Sequence, residues 1–141
     1  MSLGHLATDI SFVTRLLRAQ LMEETSGFFE KHGVASGQVA LINLIALNPG
    51  VSQKELAEAV VLKKSALTKA INELERSGLI ERRKGGGDQR YNALHLSAAG
   101  EARVAAMKTD MLALQDKILG VLDPAERAQL FDMIWRVIRS L

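Results

Sequence analysis

Hydrophobic residues recur at helical spacing in a central segment, residues 63–78. Leu67, Ile71 and Leu74 lie at positions i, i+4 and i+7, which places them on one face of a helix. Gly78 follows the last turn, where glycine adopts the left-handed conformation without strain. The opposite face carries polar groups that can bond to phosphates and base edges: Ser65, Thr68, Lys69, Asn72 and Arg76. The pattern predicts an amphipathic helix with one buried face and one polar face.

A shorter helix is predicted immediately before this one. Ser52 and Glu55 have the spacing of a capping box, in which serine caps the helix and the glutamate three residues later bonds back to the serine. Leu56, Ala57 and Val60 would form its apolar face. Two short helices joined by a tight turn make a helix-turn-helix.

After Gly78 the pattern predicts a β-hairpin. Residues 79–84 and 91–96 are candidate strands, and the second alternates between two sides. The glycine-rich residues 85–90 between them predict a turn. A helix-turn-helix followed by a basic hairpin is a winged helix, so the expected fold is mainly α with a small β-hairpin wing.

Longer helices flank this core. One is predicted over residues 6–32, and a nearly apolar, buried one is predicted to begin at Ser36 as its N-cap. Ser97 and Asp123 are predicted to cap two further helices, the last of which runs to the C-terminus. The outer helices carry more apolar surface than a small winged helix can cover, which predicts a homodimer built from the first, fifth and sixth helices.

The predicted organisation has three segments. Residues 1–34 form an N-terminal dimerisation helix, and residues 35–97 form the winged helix-turn-helix DNA-binding domain. Residues 98–141 form C-terminal dimerisation helices, which make a single structural unit with residues 1–34.

Positive charge is concentrated in two predicted elements. One is the amphipathic helix within residues 63–78, which is the recognition helix of the helix-turn-helix, and the other is the wing. Residues 63–90 contain eight Lys/Arg and four Asp/Glu, although the net charge of the whole chain is only +2. Local positive charge of this kind favours phosphate binding. The chain has no cysteine, no apolar run long enough to span a membrane and no signal-peptide pattern, and these features predict a cytoplasmic protein.

Other classes of site find little support in the sequence. His5, His32 and His95 share no ligand spacing, so no metal site is predicted. No nucleophile motif, acid/base pair or phosphate loop occurs, and the glycine triplet at 85–87 is not followed by a helix. We therefore expect neither an enzyme nor a bound cofactor.

An ordered set of short segments resembles the MarR family (multiple antibiotic resistance regulator-type) of bacterial transcription regulators. The segments are SQKELA at 52–57, residues 64–75, SGLIER at 77–82, DQR at 88–90 and LSAAG at 96–100. Their order and spacing also match, over roughly residues 36–100. The resemblance implies a two-fold dimer with intertwined terminal helices. It also implies repression that is relieved by a small ligand, often an aromatic or phenolic acid.

The candidate major-groove contacts all lie on the recognition helix. Asn72 is the best candidate for base recognition, because an amide can bond adenine through two hydrogen bonds. Lys64 and Lys69 are equally candidates for phosphate contacts. Lys63 stands where the family commonly has an acidic N-cap, which weakens the cap. The full set is Lys64, Ser65, Ala66, Thr68, Lys69 and Asn72, with Ala66 in place of a common hydroxyl residue and able to offer a methyl group to thymine.

The wing and the first helix of the motif supply the remaining candidates. The resemblance implies that Arg90 enters the minor groove and that Asp88 orients it, while Gln89 replaces an arginine common in the family. Arg82, Arg83 and Lys84 are either phosphate contacts or solvated side chains. A helix N-terminus favours an anion, so a phosphate contact is a possible addition to capping for Ser52 and Gln53.

Two functions from different classes fit this pattern. The first is a ligand-responsive, homodimeric repressor that binds a pseudo-palindromic operator in double-stranded DNA. The alternative is a winged-helix protein–protein interaction module without DNA binding. The Lys69→Ala and Arg90→Ala variants discriminate between them, because partner binding by such a module would survive these changes.

Overall fold

A computed structural model describes residues 1–60, 62–84 and 93–141. The chain divides into two compact units, residues 1–106 and 107–141. The described residues confirm the mainly α fold with a two-stranded hairpin. The elements are a short 3-10 helix (Gly4–Thr8), α1 (Ile10–His32), α2 (Ser36–Leu47), α3 (Gln53–Ala59), α4 (Lys64–Arg76), β1 (Ile80–Arg83), β2 (Ala93–Leu96), α5 (Ala98–Ile118) and α6 (Pro124–Ser140).

The starts of the first two α-helices differ from the prediction. α1 begins at Ile10 rather than at residue 6, because the Asp9 carboxylate accepts a 2.7 Å hydrogen bond from the backbone N–H of Phe12. The prediction of Ser36 as the N-cap of α2 was wrong. Ser36 is the first helical residue, and the extended Ala35 before it donates its backbone N–H to the side-chain oxygen of Gln38.

The core of the first unit is formed around α2 and α4. Leu41, Ile42 and Ile45 of α2 are fully buried, which confirms the central position predicted for this helix. Its burial is nonetheless one-sided, because Leu47 is 78% exposed. The predicted apolar face of α4 is confirmed, with Leu67, Ile71 and Leu74 buried.

The two strands pair antiparallel, and β1 begins one residue later and ends one residue earlier than its predicted range of 79–84. The register places Ile80 opposite Leu96 and Arg82 opposite Leu94. Leu94 also forms a bridge with Val51, in which its N–H donates to the Val51 carbonyl oxygen at 2.9 Å. β2 is therefore bonded both to β1 and to the residue that precedes the start of the helix-turn-helix.

The beginning of α5 packs tightly against the start of the wing. Ser97 caps α5 as predicted, since its hydroxyl oxygen accepts a 3.0 Å hydrogen bond from the N–H of Gly100. The same hydroxyl donates to the carbonyl oxygen of Gly78. A Cβ atom at Gly100 would lie only 2.0 Å from the carbonyl oxygen of Leu79, so this close approach requires glycine.

The second unit contains α6, which begins with the predicted signal. The Asp123 carboxylate accepts from the N–H of Glu126, and Pro124 occupies the first turn. Arg127 forms a 3.0 Å salt bridge with Asp116. No residue of α6 is buried within the chain, and its large hydrophobic side chains are exposed: Phe131, Met133, Ile134, Trp135, Val137 and Ile138.

Candidate nucleic-acid interface

α4 presents a polar face opposite the three side chains that it buries. Lys64, Ser65, Ala66, Lys69 and Asn72 are exposed, and the Thr68 side chain is half-buried. The weak cap predicted for this helix is confirmed, because its N-cap residue Lys63 makes no capping hydrogen bond through its side chain. α4 thus keeps its predicted candidates accessible on a helix that is fixed by its apolar face.

A hydrogen bond connects the two helices of the motif. The Gln53 side-chain Nε2 donates to the Thr68 Oγ1 at 2.9 Å, from the first turn of α3 to the second turn of α4. Both residues are partly buried, so the bond is only partly exposed to competing water. The structure therefore brings two predicted site residues together through a direct contact.

Arg82 of β1 extends this contact across the motif. Its Nη1 donates to Gln53 Oε1 at 3.2 Å, and its Nη2 donates to Asn72 Oδ1 at 3.2 Å. Its Nε lies 3.3 Å from the Glu75 carboxylate oxygen Oε2. All three guanidinium nitrogens of Arg82 therefore have partners on α3 or α4. Together with Thr68, these residues form what we call the Arg82 network.

The strand register explains why Arg82 turns towards the helices. Arg82 lies on the same face of the hairpin as Ile80, Leu94 and Leu96, since alternate residues of a strand share a face and paired residues lie side by side. Ile80 and Leu94 are buried. The aliphatic stem of arginine can cover apolar surface while the guanidinium reaches polar partners. The side chain of Arg82 is accordingly only 28% exposed.

Arg83 lies on the opposite face of the hairpin. Its guanidinium forms a salt bridge with Glu81, two residues earlier on the same strand. Its side chain is 55% exposed. Two adjacent arginines therefore have different partners, because consecutive strand residues point to opposite faces.

The start of α3 is organised by the predicted capping box. The N–H of Glu55 donates to Ser52 Oγ at 3.1 Å, and the N–H of Ser52 donates to Glu55 Oε2 at 2.8 Å. Bonding from the Ser52 backbone, followed by that from its hydroxyl, holds the pKa of the Glu55 carboxyl below its ordinary value. Ser52 is 5% exposed, so its hydroxyl is buried in the cap, and the predicted phosphate contact of Ser52 stays a prediction.

Other predicted residues have less structural context. Lys84 is exposed at the end of β1. Asp88 and Arg90 lie outside the described residues, as does the predicted strand start at 91–92. Glu75 was missed as part of the site, although its position three residues after Asn72 places both on neighbouring turns of α4. Its role depends on a contact with a strand residue, which helical periodicity does not reveal.

Residues 1–60, 62–84 and 93–141 contain no cluster of three or more His, Cys, Asp or Glu side chains arranged to hold a metal ion. Within the same positions, none of the helices combines the length and the hydropathy needed to cross a membrane.

Comparison with known proteins identifies the family. The family model described as MarR family matches residues 32–90. The transcriptional regulator HosA of Escherichia coli is 33% identical over 99 residues, a match that covers 70% of this chain and 73% of HosA. The chain belongs to the MarR family. Members of this family are transcription regulators, which supports the prediction that the chain is not an enzyme.

A second relative and two solved structures agree with this result. A Thauera aromatica protein named as a transcriptional regulator for the hcr operon is 33% identical over 108 residues; the match covers 77% of this chain but only 65% of the relative, just under two thirds. The repressor CouR bound to a 23-mer DNA duplex has a TM-score of 0.88 at 21% identity, over 98% of both chains. PcaV of Streptomyces coelicolor, in complex with its natural ligand, has a TM-score of 0.85 at 25% identity, over 99% of this MarR-family chain and 98% of PcaV. The winged-helix fold is thereby confirmed.

Proposed function

We propose that this protein regulates transcription by binding double-stranded DNA as a homodimer, and that it represses from a pseudo-palindromic operator. The observation that carries the proposal is the polar face of α4, where Lys64, Lys69 and Asn72 are exposed while the opposite face is packed into the core. A helix held in this way fits the major groove. CouR, which shares the fold, has been solved on DNA.

The proposed contacts divide into two kinds. Lys64, Lys69 and Lys84 neutralise phosphates, which gives affinity without sequence information. Thr68 and Asn72 face base edges, and Ala66 offers a methyl group for contact with thymine. Arg90, oriented by Asp88, is proposed to enter the minor groove, which attracts arginine where it is narrow.

The proposed dimer follows from hydrophobic surface that the single chain leaves uncovered. On α1, Ile10 is 70% exposed and Leu17 is 51% exposed. On α6, Trp135 is 51% exposed and Val137 is 54% exposed. Exposed apolar side chains in such numbers on a helix mark an interaction site. We propose that a second copy of the chain covers these side chains. Two-fold symmetry would then place the two recognition helices about 34 Å apart, which is one turn of DNA.

Control by a small ligand is the further part of the proposal. PcaV has been solved with its natural ligand, and the family resemblance implies an aromatic or phenolic acid. Such a ligand releases DNA only if it binds more tightly to a dimer whose recognition helices are wrongly spaced for the operator. An aromatic acid that lowers operator affinity would support this part, and a full screen of such acids without effect would contradict it.

The decisive experiment measures binding of the full chain to the DNA upstream of its own gene. A shuffled duplex of equal composition is the control, and both are titrated across a salt series. We expect sequence-dependent binding with a steep salt slope, because several phosphate contacts release counterions. Equal, weak binding to both duplexes would contradict operator recognition there, and no binding even at low salt would favour a protein-interaction module.

A further inference from the structure

We propose that Arg82 is a positioning residue that determines base specificity, acting through Asn72 and Gln53 rather than through its own contact with DNA. This inference rests on the proposed DNA-binding function. It assigns to a wing residue a role in how the recognition helix reads bases.

Arginine carries only hydrogen-bond donors, so it fixes the orientation of any amide that it bonds. Arg82 Nη2 bonds Asn72 at 3.2 Å, and the Asn72 atom at this contact is therefore the oxygen Oδ1. The amide nitrogen Nδ2 has no acceptor among the residues that the structure describes. Asn72 is exposed. The contact therefore directs the two N–H groups of Nδ2 away from Arg82, and it leaves one lone pair of Oδ1 available to accept a further hydrogen bond.

Arg82 also fixes the orientation of the Gln53 amide. Its Oε1 accepts from Arg82 at 3.2 Å, which assigns Nε2 to the Thr68 hydroxyl at 2.9 Å. Thr68 Oγ1 accepts at this bond, and its own O–H stays available as a donor. A single arginine thus sets the hydrogen-bonding direction of Thr68 and Asn72, two of the polar side chains on α4 that are candidates for base contact.

Charge argues against a phosphate role for Arg82. Its guanidinium lies 3.3 Å from the Glu75 carboxylate, and the side chain is 28% exposed. To bind a phosphate, the guanidinium would have to leave the Glu75 carboxylate or interact with the carboxylate and the phosphate at the same time. The exposed lysines Lys64 and Lys69 carry no such constraint in the described contacts, which suits them better to phosphates.

The chemical class read by Asn72 follows from this orientation. An outward amide nitrogen donates to acceptors on the major-groove edge, above all the N7 atom of a purine. The remaining lone pair of Oδ1 can still accept from the N6 amino group of adenine, provided that Arg82 keeps the amide in place. Without Arg82 the amide can rotate by half a turn and present its oxygen instead, so preference at this base pair should fall.

The test selects DNA from a random duplex library with the full chain, and then measures affinities for all base pairs at each selected position. The Asn72→Ala variant identifies the position that Asn72 reads, as the one where preference is lost. Arg82→Lys keeps the charge but lacks the planar three-nitrogen fork. We expect Arg82→Lys to lose roughly tenfold in preference at that same position, with the salt slope unchanged. Adding Arg82→Lys to Asn72→Ala should reduce the preference no further.

Arg83→Ala is the matched control, because it removes an adjacent cation on the opposite face of the hairpin. It should leave base preference intact, whatever its effect on overall affinity. Thermal unfolding of each variant separates folding from recognition, since a merely structural Arg82 would lower the Tm without altering preference in the folded protein.

Several outcomes would overturn the inference. If Arg82→Lys keeps the full preference while Arg82→Ala weakens binding to all sequences equally and lowers the salt slope by about 1, then Arg82 is a phosphate contact. Unaltered preferences in Asn72→Ala would also overturn it. If the wild-type chain enriches no sequence, the DNA-binding proposal itself fails, and that result is distinct from both.

Discussion

A Cβ atom built on Gly100 would lie 2.0 Å from the carbonyl oxygen of Leu79. This oxygen is backbone, and it already accepts a 3.0 Å hydrogen bond from the N–H of Ser97, so it cannot move away without breaking that bond. The first turn of α5 and the start of the wing are therefore in contact at a distance that only glycine allows.

We expect Gly100→Ala to lower the free energy of unfolding by about 1–3 kcal/mol or more, the usual cost of overpacking. Gly27→Ala is the matched control, because Gly27 also lies inside a helix but a Cβ there would meet no described atom within 4 Å beyond its chain neighbours and the nearby backbone of its own helix. In that variant the free energy of unfolding should rise by up to about 1 kcal/mol, because alanine has a higher helix propensity than glycine. Denaturant unfolding would measure both, and equal effects of the two variants would contradict the contact.

The capping box predicts how stability depends on pH. The pKa of Glu55 is lowered in the folded protein, so its charged form stabilises the fold at pH values above the ordinary carboxyl pKa. This contribution is lost as the pH falls through the lowered pKa. Glu55→Gln keeps an acceptor for the N–H of Ser52 but cannot titrate. We expect it to flatten the acid side of the Tm-against-pH curve, and an unchanged curve would show that Glu55 does not contribute.

Lys69 tests the phosphate contacts proposed for α4. The Lys69→Ala variant should weaken binding to every duplex by a similar factor and reduce the salt slope by about 1. Lys108→Ala, which removes an exposed lysine from α5, is the control with the same charge change. A loss of sequence preference without a change of slope would instead assign Lys69 to base contact.

The proposed dimer predicts that charge on the apolar side of α6 separates the subunits. Ile138 is 50% exposed in the single chain, and Ile138→Glu would place a carboxylate in the interface. We expect a large rise in the dimer dissociation constant in sedimentation equilibrium. Gln129→Glu adds the same charge at an exposed polar position of α6 and should leave assembly intact. A fully dimeric Ile138→Glu would contradict this interface.

The fold was largely accessible from the sequence, because periodicity and capping residues act locally. Spacing alone was enough to predict the buried stripe of Leu67, Ile71 and Leu74, and the capping box of Ser52 was read from two positions. The N-cap of α2 was placed one residue late, since Gln38 rather than a serine satisfies the first backbone N–H group.

The Arg82 network could not be predicted in the same way. Gln53 and Arg82 are 29 residues apart in the sequence, and Asn72 and Arg82 are 10 residues apart. Their meeting depends on the register that puts Arg82 opposite Leu94, which no local pattern fixes. The sequence alone therefore allows Arg82 to be either a phosphate contact or a solvated side chain. Its face of the hairpin determines its partners.

The bridge between Val51 and Leu94 has a mechanical consequence. Leu94 is completely buried and bonds through its N–H and its carbonyl oxygen to Val51 and Gly50, while the strand that contains it pairs with β1. The entry to α3 and the wing are therefore joined by backbone hydrogen bonds. Bending the wing against the recognition motif would break these main-chain hydrogen bonds, each of which contributes about 0.5–1.5 kcal/mol net. We therefore expect a signal that changes the fit to an operator to move the helix-turn-helix and the wing together as one rigid body, without changing the shape of either.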